Sequence, residues 1–391
     1  MSRASSHALR HPPASPPSEP AGAPSPAPFP ELAVAIEKGR RRGRGAQSNA
    51  SGRYEAEARV AFDDGWQSLE ELPPFKTTVG VDTSRKVITR NDSPDIGFDR
   101  SINPYRGCEH GCVYCFARPT HAYLGLSPGL DFETKIFSKP DAGALLRREL
   151  ERPGYVCRVT ALGVNTDAYQ PIEKKLGITR GVLEVMSEYR HPVLIITKSD
   201  LVLRDVDLLG PMGQARRAAV MVSVTTLDRR LARRMEPRAA TPARRLETIR
   251  RLTEAGVPVG VLAAPMIPGL NDSELEAIVA AAAEAGAVTA GYVLLRLPLE
   301  IKDLFREWLT THYPLKADRV EALLRDMRGG KLYEAAFGAR MRGRGPHADL
   351  LEQRFQVAIR RAGLGERDLD LDESAFRVPP RPGSQGTLFP A

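Results

Sequence analysis

Short runs of β-branched and aliphatic residues alternate along the middle of this chain with longer stretches whose apolar positions recur at helical spacing. The runs fall at Ser101–Arg106, Val156–Gly163, Pro192–Thr197, Ala219–Thr226, Val257–Ala264 and Thr289–Arg296. The last five are short apolar runs, as parallel strands covered on both faces require. Helical patterns lie between them at Ala142–Leu150, Arg180–Glu188, Arg244–Glu254 and Ser273–Ala285. Ser273-x-x-Glu276 reads as a capping box at a helix start, and Gly256 stops the helix that ends at Ala255. Repeated β–α units of this kind predict an α/β parallel sheet, either an open barrel or a doubly wound fold. Beyond about residue 299, helices at Ile301–Thr310, Ala317–Arg328 and Asp349–Arg361 are predicted to pack on that unit as an extension.

Composition divides the chain further. Its 391 residues, 42% hydrophobic, can bury one large core or two modest ones. Residues 1–50 are rich in Pro, Ala, Ser and Arg and are expected to be disordered, with 51–94 as a lead-in. The α/β unit is expected over 95–300, the helical extension over 301–377, and a flexible tail over 378–391. Only four cysteines argue against a disulfide framework, and three of them clustered argue for a metal site in a reducing compartment. The N-terminus shows no apolar signal-peptide core, and the longest apolar stretch, Ala277–Ala283, is too short to span a membrane. A cytoplasmic protein without membrane partners is expected. The net charge is +8, of which +4 lies in residues 1–50 and +2 in residues 331–391. The arm Lys38-Gly-Arg-Arg-Arg-Gly-Arg44 can attract phosphate backbones without sequence specificity, so nucleic acid is a candidate partner.

The cysteines carry the chemistry. Cys108, Cys112 and Cys115 stand as C-x3-C-x2-C within Asn103-Pro-Tyr-Arg-Gly-Cys-Glu-His-Gly-Cys-Val-Tyr-Cys-Phe116. Three thiolates on one tight loop can hold three irons of a [4Fe–4S] cluster and leave the fourth open to another ligand. The competing reading is a structural zinc knuckle with Cys157 or His110 as fourth ligand, although zinc sites usually pair two Cys/His doublets and no second doublet exists. The expected strand ends are polar: Asn165-Thr166-Asp167, Thr197-Lys198-Ser199-Asp200, Ser223 with Thr225-Thr226, Pro268-Gly-Leu-Asn-Asp272, and Arg296. Singly such residues cap helices and shape turns; together they form a ring suited to a zwitterionic nucleoside.

The cysteine spacing resembles the radical S-adenosylmethionine (radical SAM) superfamily. With Thr166-Asp167, Gln170-Pro-Ile-Glu173, Thr197-Lys198, Ser223-Val-Thr-Thr and Glu236-Pro-Arg238, the stretch from about residue 95 to 330 resembles its spore photoproduct lyase-like branch, often described as a "DNA repair photolyase" group. That resemblance implies a partial (βα)6 TIM-type barrel with chemistry at the carboxyl ends of the strands. It implies a [4Fe–4S] cluster on Cys108, Cys112 and Cys115 that cleaves SAM reductively to a 5′-deoxyadenosyl radical, fed by a flavodoxin- or ferredoxin-type reductant. Phe116 would contact the adenine side of SAM through its backbone. Thr166, Lys198 and Ser223 fall where the family holds the SAM carboxylate, amine and ribose, and Ala264 lines the adenine. Asp167 is a candidate SAM-binding or loop-ordering group, and Tyr114 a candidate catalytic residue.

Two positions depart from the lyase pattern. Val164 stands where the lyase carries its hydrogen-donating cysteine, and Phe116 replaces the second of its tyrosines. Cys157 is seven residues upstream, about 23 Å along a strand, and reads as a buried core thiol. Thymine-dimer lysis is therefore not expected. The substrate is unassigned, with DNA the first candidate. Modification of a peptide, tRNA or metabolite, and a non-catalytic metal-stabilised nucleic-acid-binding protein, are the alternatives.

Other features are weaker. Leu246, Ile249 and Leu252 form an inward stripe that leaves the arginines around them on a solvated face, whereas Arg238, in the Glu236-Pro237-Arg238 turn, is a candidate for touching substrate or SAM. Glu173, like Asp167, is a candidate acid/base group and more readily a loop-ordering or SAM-binding one, and His110 and His121 read as hydrogen-bonded structural residues. Gln385-Gly-Thr-Leu-Phe389 resembles the peptide by which bacterial repair proteins dock on the sliding clamp.

Overall fold

The computed structural model describes residues 41, 43–55, 75–366 and 369–380. The strands in chain order are β1 (Thr78–Val81), β2 (Ile88–Arg90), β3 (Arg100–Ile102), β4 (Tyr105–Arg106), β5 (Lys135–Ser138) and β6 (Thr160–Leu162). They continue as β7 (Val193–Thr197), β8 (Ala218–Ser223), β9 (Val259–Met266), β10 (Thr289–Leu294) and β11 (Gly365–Glu366). Eight of them form one sheet in the order β11-β10-β9-β8-β7-β6-β3-β2, and β1-β5-β4 form a second. In the larger sheet β3, β6, β7, β8, β9 and β10 are parallel and follow chain order, while β2 runs antiparallel at one edge.

Consecutive order has a consequence. Right-handed crossovers between successive neighbours place every connecting helix on the same face of the sheet. The side chains agree: β7 alternates buried and half-buried positions, with Leu194 and Ile196 on the more open face, and Leu262 and Ala264 do the same on β9. The helix-covered side carries Val193, Ile195, Val220, Val222, Val259 and Val261 in one continuous core.

Helices appear where the apolar periodicity predicts them, at Ala142–Leu150, Ile178–Glu188, Pro242–Glu254 and Leu275–Glu284. The capping box does not form. A 3-10 turn over Asp272–Glu274 precedes the last helix, and Glu276 pairs with Arg354 instead of reaching back to Ser273. Val156–Gly163 also yields less strand than expected: only Thr160–Leu162 pairs, because 155–159 follow the Pro153-Gly154 turn and find no neighbour. Arg245 is not on the solvated face assigned to it; it is 1% exposed.

The extension consists of helices Ile301–His312, Pro314–Asp326, the short Ala339–Arg342 and Pro346–Arg361. The first two build a second core with the cysteine loop itself. Ile301, Phe305, Trp308, Leu309, Val320 and Leu324 pack against Cys112, Val113 and Tyr114. Trp308 is fully buried and donates from Nε1 to the Arg234 carbonyl at 2.9 Å. Among the described residues no helix is long and apolar enough to cross a membrane. Gln385–Phe389 lies outside the described residues.

Candidate active site

The cysteine loop leaves the sheet after β3 and returns through β5. Its backbone closes on itself: Gly111 N bonds Cys108 O at 3.3 Å, Cys115 N bonds Cys112 O at 3.2 Å, and Arg118 N bonds Cys115 O at 3.2 Å. Cys108 N is tied to Phe132 O at 2.9 Å and Val113 N to Met235 O at 3.0 Å. The three thiols end near enough to feel one another: Cys108 is influenced by Cys112 and Cys115, and Cys112 by Cys115. Burial pushes all three up, Cys112 to about 12.

A buried network fixes the loop from three sides. Glu133, fully buried, accepts from Gly45 N at 2.9 Å, Ala46 N at 2.8 Å and Arg118 Nη2 at 2.5 Å. Residues 45–48, inside the stretch expected to be disordered, are thus buried against the loop. Gly45 is required there, because a Cβ would lie 1.8 Å from the Gly111 carbonyl oxygen. On the second side Glu236 accepts from Tyr114, Thr225 and Arg245, which holds its carboxyl below the usual range against the opposing effect of burial. The Tyr114 phenol is pushed up, first by burial and then by the Glu236 charge. On the third side Arg238 pairs with Glu109 at 3.0 Å, and Glu109 N bonds Gln170 Oε1 at 2.8 Å.

The expected site residues stand at the carboxyl ends of the parallel strands. Thr166 and Asp167 follow β6, where Gly163 turns the chain with φ +84°. Thr166 donates to Tyr105 O at 2.7 Å. Lys198 follows β7, Ser223 ends β8, and Ala264 lies half-buried on β9. Lys198 Nζ stands 5.8 Å from the Tyr114 ring centre and lowers both Cys112 and Cys115. Asp167 accepts from Tyr169 N and Lys198 N, and its Oδ2 is 3.3 Å from His110 Nδ1. Phe116 projects outward, 39% exposed.

Several residues stand elsewhere or do other work. Cys157 is half-buried rather than a core thiol, among Arg100, Arg158, Asp372 and Glu373 at the amino-terminal end of β6. Glu173 is a loop-ordering group that accepts from Tyr105, Thr179 N and Arg204. His121 is buried edge-on against Phe132, with Nε2 on Lys135 O. A cavity of about 410 Å³ lined by Asn91, Asp99, Arg158 and Glu373 lies at the opposite end of the sheet from the cysteines.

Three thiols on one loop match the ligand count of a cluster with one open iron. Among the described residues no three His, Cys, Asp or Glu side chains converge on one point as ligands of one metal. A [4Fe–4S] cluster asks for a different arrangement, one thiolate to each of three separate irons. Of the two candidates for a fourth zinc ligand, Cys157 is remote from the loop, and His110 turns its Nδ1 to Asp167.

The chain belongs to the radical SAM superfamily, whose family model, described as "Radical SAM superfamily", matches residues 102–282. Members of that superfamily use a [4Fe–4S] cluster and SAM, and these are the cofactors of this chain. An uncharacterized protein of Mycobacterium tuberculosis is 37% identical over 230 residues, 58% of this chain and 68% of the relative. An uncharacterized protein of Methanocaldococcus jannaschii is 29% identical over 213 residues, 54% of this chain and 76% of the relative. Among solved structures, spore photoproduct lyase complexed with dinucleoside spore photoproduct superposes with a TM-score of 0.53 at 17% identity, covering 74% of this chain and 80% of that one. A variant of the same lyase has been solved with bound AdoMet and the dinucleoside.

Proposed function

We propose that this chain is a radical SAM enzyme whose large sheet curves into a partial barrel and whose Cys108, Cys112 and Cys115 hold the cluster. A cluster held there would supply, once reduced, the one electron that breaks the C5′–S bond of SAM into methionine and a 5′-deoxyadenosyl radical. The observation that carries the reading is three thiols, Cys108 and Cys112 buried and Cys115 half-buried, on one loop closed by its own backbone bonds and locked by Glu133, Glu236 and Arg238. Lys198 supplies positive charge beside Cys112 and Cys115, and with Thr166 and Ser223 forms the polar side of the SAM pocket. Phe116 meets the adenine through its backbone, which leaves its ring outside the SAM pocket, and Ala264 supplies the apolar side. Asp167 holds the Lys198 backbone in place beside that pocket. Tyr114 is the candidate hydrogen-atom relay, its phenol positioned by Glu236.

The substrate proposed first is DNA, and the electron comes from a flavodoxin- or ferredoxin-type protein in the cytoplasm. The absence of a thiol at Val164 separates this chemistry from thymine-dimer lysis. Anaerobically reconstituted and reduced protein should give a [4Fe–4S]⁺ paramagnetic resonance signal that changes shape on adding SAM. Cys112→Ala should lose most of its iron while keeping its far-ultraviolet circular dichroism. A signal indifferent to SAM, or full iron in Cys112→Ala, would sink the proposal. Stoichiometric zinc with tetrahedral sulfur ligation would put a structural metal in its place.

A further inference from the structure

Two guanidinium groups stand together beyond β10, and among the described residues only the Glu334 charge acts on either, on Arg328 and without an ion-pair contact. Arg296 follows β10 by two residues, and its Cζ lies 5.1 Å from the centre of the Phe116 ring. Its Nη1 reaches only the Met341 sulfur, at 3.7 Å, and its Nε is buried with no hydrogen-bond partner. Arg328 is 2% exposed, donates to the carbonyls of Leu295 and Ala339, and leaves its own Nε unpartnered. Burial pushes its pKa down to about 10; Tyr333 and, more weakly, Glu334 oppose the shift, and the like charge of Arg296 adds to it.

Neighbouring arginines are neutralised. Arg238 pairs with Glu109, Arg245 with Glu236, Arg340 with Asp95 and Arg342 with Glu352. Among the described residues neither Arg296 nor Arg328 has a carboxylate in ion-pair contact. A cavity of about 180 Å³ beside Arg328 is lined by Asp326, Glu334 and Arg344, so it carries both signs of charge, and Arg296 is not part of its lining. Arg296 faces Phe116 instead. Removing cations from water without a counter-charge is costly, and two adjacent ones add mutual repulsion. A ligand anion at this place would relieve both.

We propose that Arg296, backed by Arg328 and standing over the exposed Phe116 ring, is an anion subsite for a phosphodiester of a nucleic-acid strand. The assignment of that phosphate to the substrate rests on the reading of the cysteine loop as the reactive centre. A guanidinium fork matches two phosphate oxygens, and an exposed aromatic ring beside it offers a stacking face for a base.

The probe is the dinucleotide TpT, which carries one phosphodiester, together with its uncharged methylphosphonate analogue. Binding is followed by calorimetry on the cluster-loaded protein, with and without SAM. TpT should bind saturably, the analogue about ten-fold more weakly, and Arg296→Gln should lose about the same factor. Arg296→Lys keeps the charge without the fork and should fall between, which guards against a variant that merely misfolds. Equal binding of TpT and its analogue, unchanged TpT binding in Arg296→Gln, or no TpT binding at millimolar concentration overturns the proposal. So does SAM competing with TpT while Arg296→Gln loses SAM, which would give the anion to the SAM carboxylate. Tighter binding of an aspartyl dipeptide than of TpT also overturns it. The resonance change on adding SAM reports separately on the cysteine loop, so either claim can fail alone.

Discussion

Four donors converge on the Asp167 carboxylate: Tyr169 N at 2.9 Å, Thr197 Oγ1 at 2.8 Å, Lys198 N at 2.8 Å and His110 Nδ1 at 3.3 Å. Burial by itself would raise its pKa, but the His110 charge and the hydrogen bonds outweigh that and bring it to about 2. A carboxyl held lower in the folded than in the unfolded state stabilises the fold above its unfolded pKa and loses that effect as the pH falls. For Asp167 the contribution is roughly 2 kcal/mol, complete above about pH 4 and lost on the way to pH 2. Asp167→Asn should therefore lower the urea midpoint at pH 7 and flatten its fall below pH 4. An acid limb as steep as in the parent protein would show that another group sets it. The Glu236–Arg245 pair belongs to a different class. It is fully desolvated, so loss of either partner alone would strand a buried charge.

At the scale of elements, the segment from Gly43 to Glu55 is a strap rather than a tail. Arg44 donates to Glu133 O at 2.8 Å, Asn49 Nδ2 donates to Asp131 at 3.1 Å, and Ser48 donates to Glu307 at 2.8 Å. Because Gly45 meets the Gly111 backbone directly, Gly45→Val has nothing flexible to push aside and must lift the strap. The expected results are a loss of about 1–3 kcal/mol, faster proteolysis within 43–55, and poorer iron retention. Unchanged proteolysis would mean that the strap tolerates the branched side chain.

Sequence pattern reached the elements whose own residues carry a period. The helix at Ala142–Leu150 was legible to the residue, and β7 within one position. The strap was not legible, because its Pro/Arg/Gly composition has no period and the bonds that hold it on the loop run to residues 82 to 259 positions away. Arg245 escaped for a related reason: its burial depends on Glu236, which sits on a separate turn. In the candidate site, the cysteines and the polar strand ends could be read from spacing. The carboxylates that lock the loop, Glu133 and Glu236, could not, since a buried glutamate looks like any other until its partners are placed.

Taken as a whole, the molecule keeps its two ends apart in function. The amino-terminal ends of β3 and β6 are closed by the 369–380 segment, where Glu373 accepts from Val159 N and Arg158. The carboxyl ends carry the cysteine loop, clasped from one side by the strap and from the other by the helices around Trp308. Those clasps differ in timing. The strap is made first on the ribosome, yet its partner Glu133 lies 88 residues downstream of Gly45, and closing so long a loop is slow on entropic grounds. A newborn chain therefore passes through an interval in which the cysteine loop exists unclasped. Iron and sulfide offered during refolding should be taken up faster than the same reagents offered to finished protein, and equal rates would deny the interval. The strap thereby turns cluster assembly into a matter of schedule: the metal is received early, and the door is shut behind it.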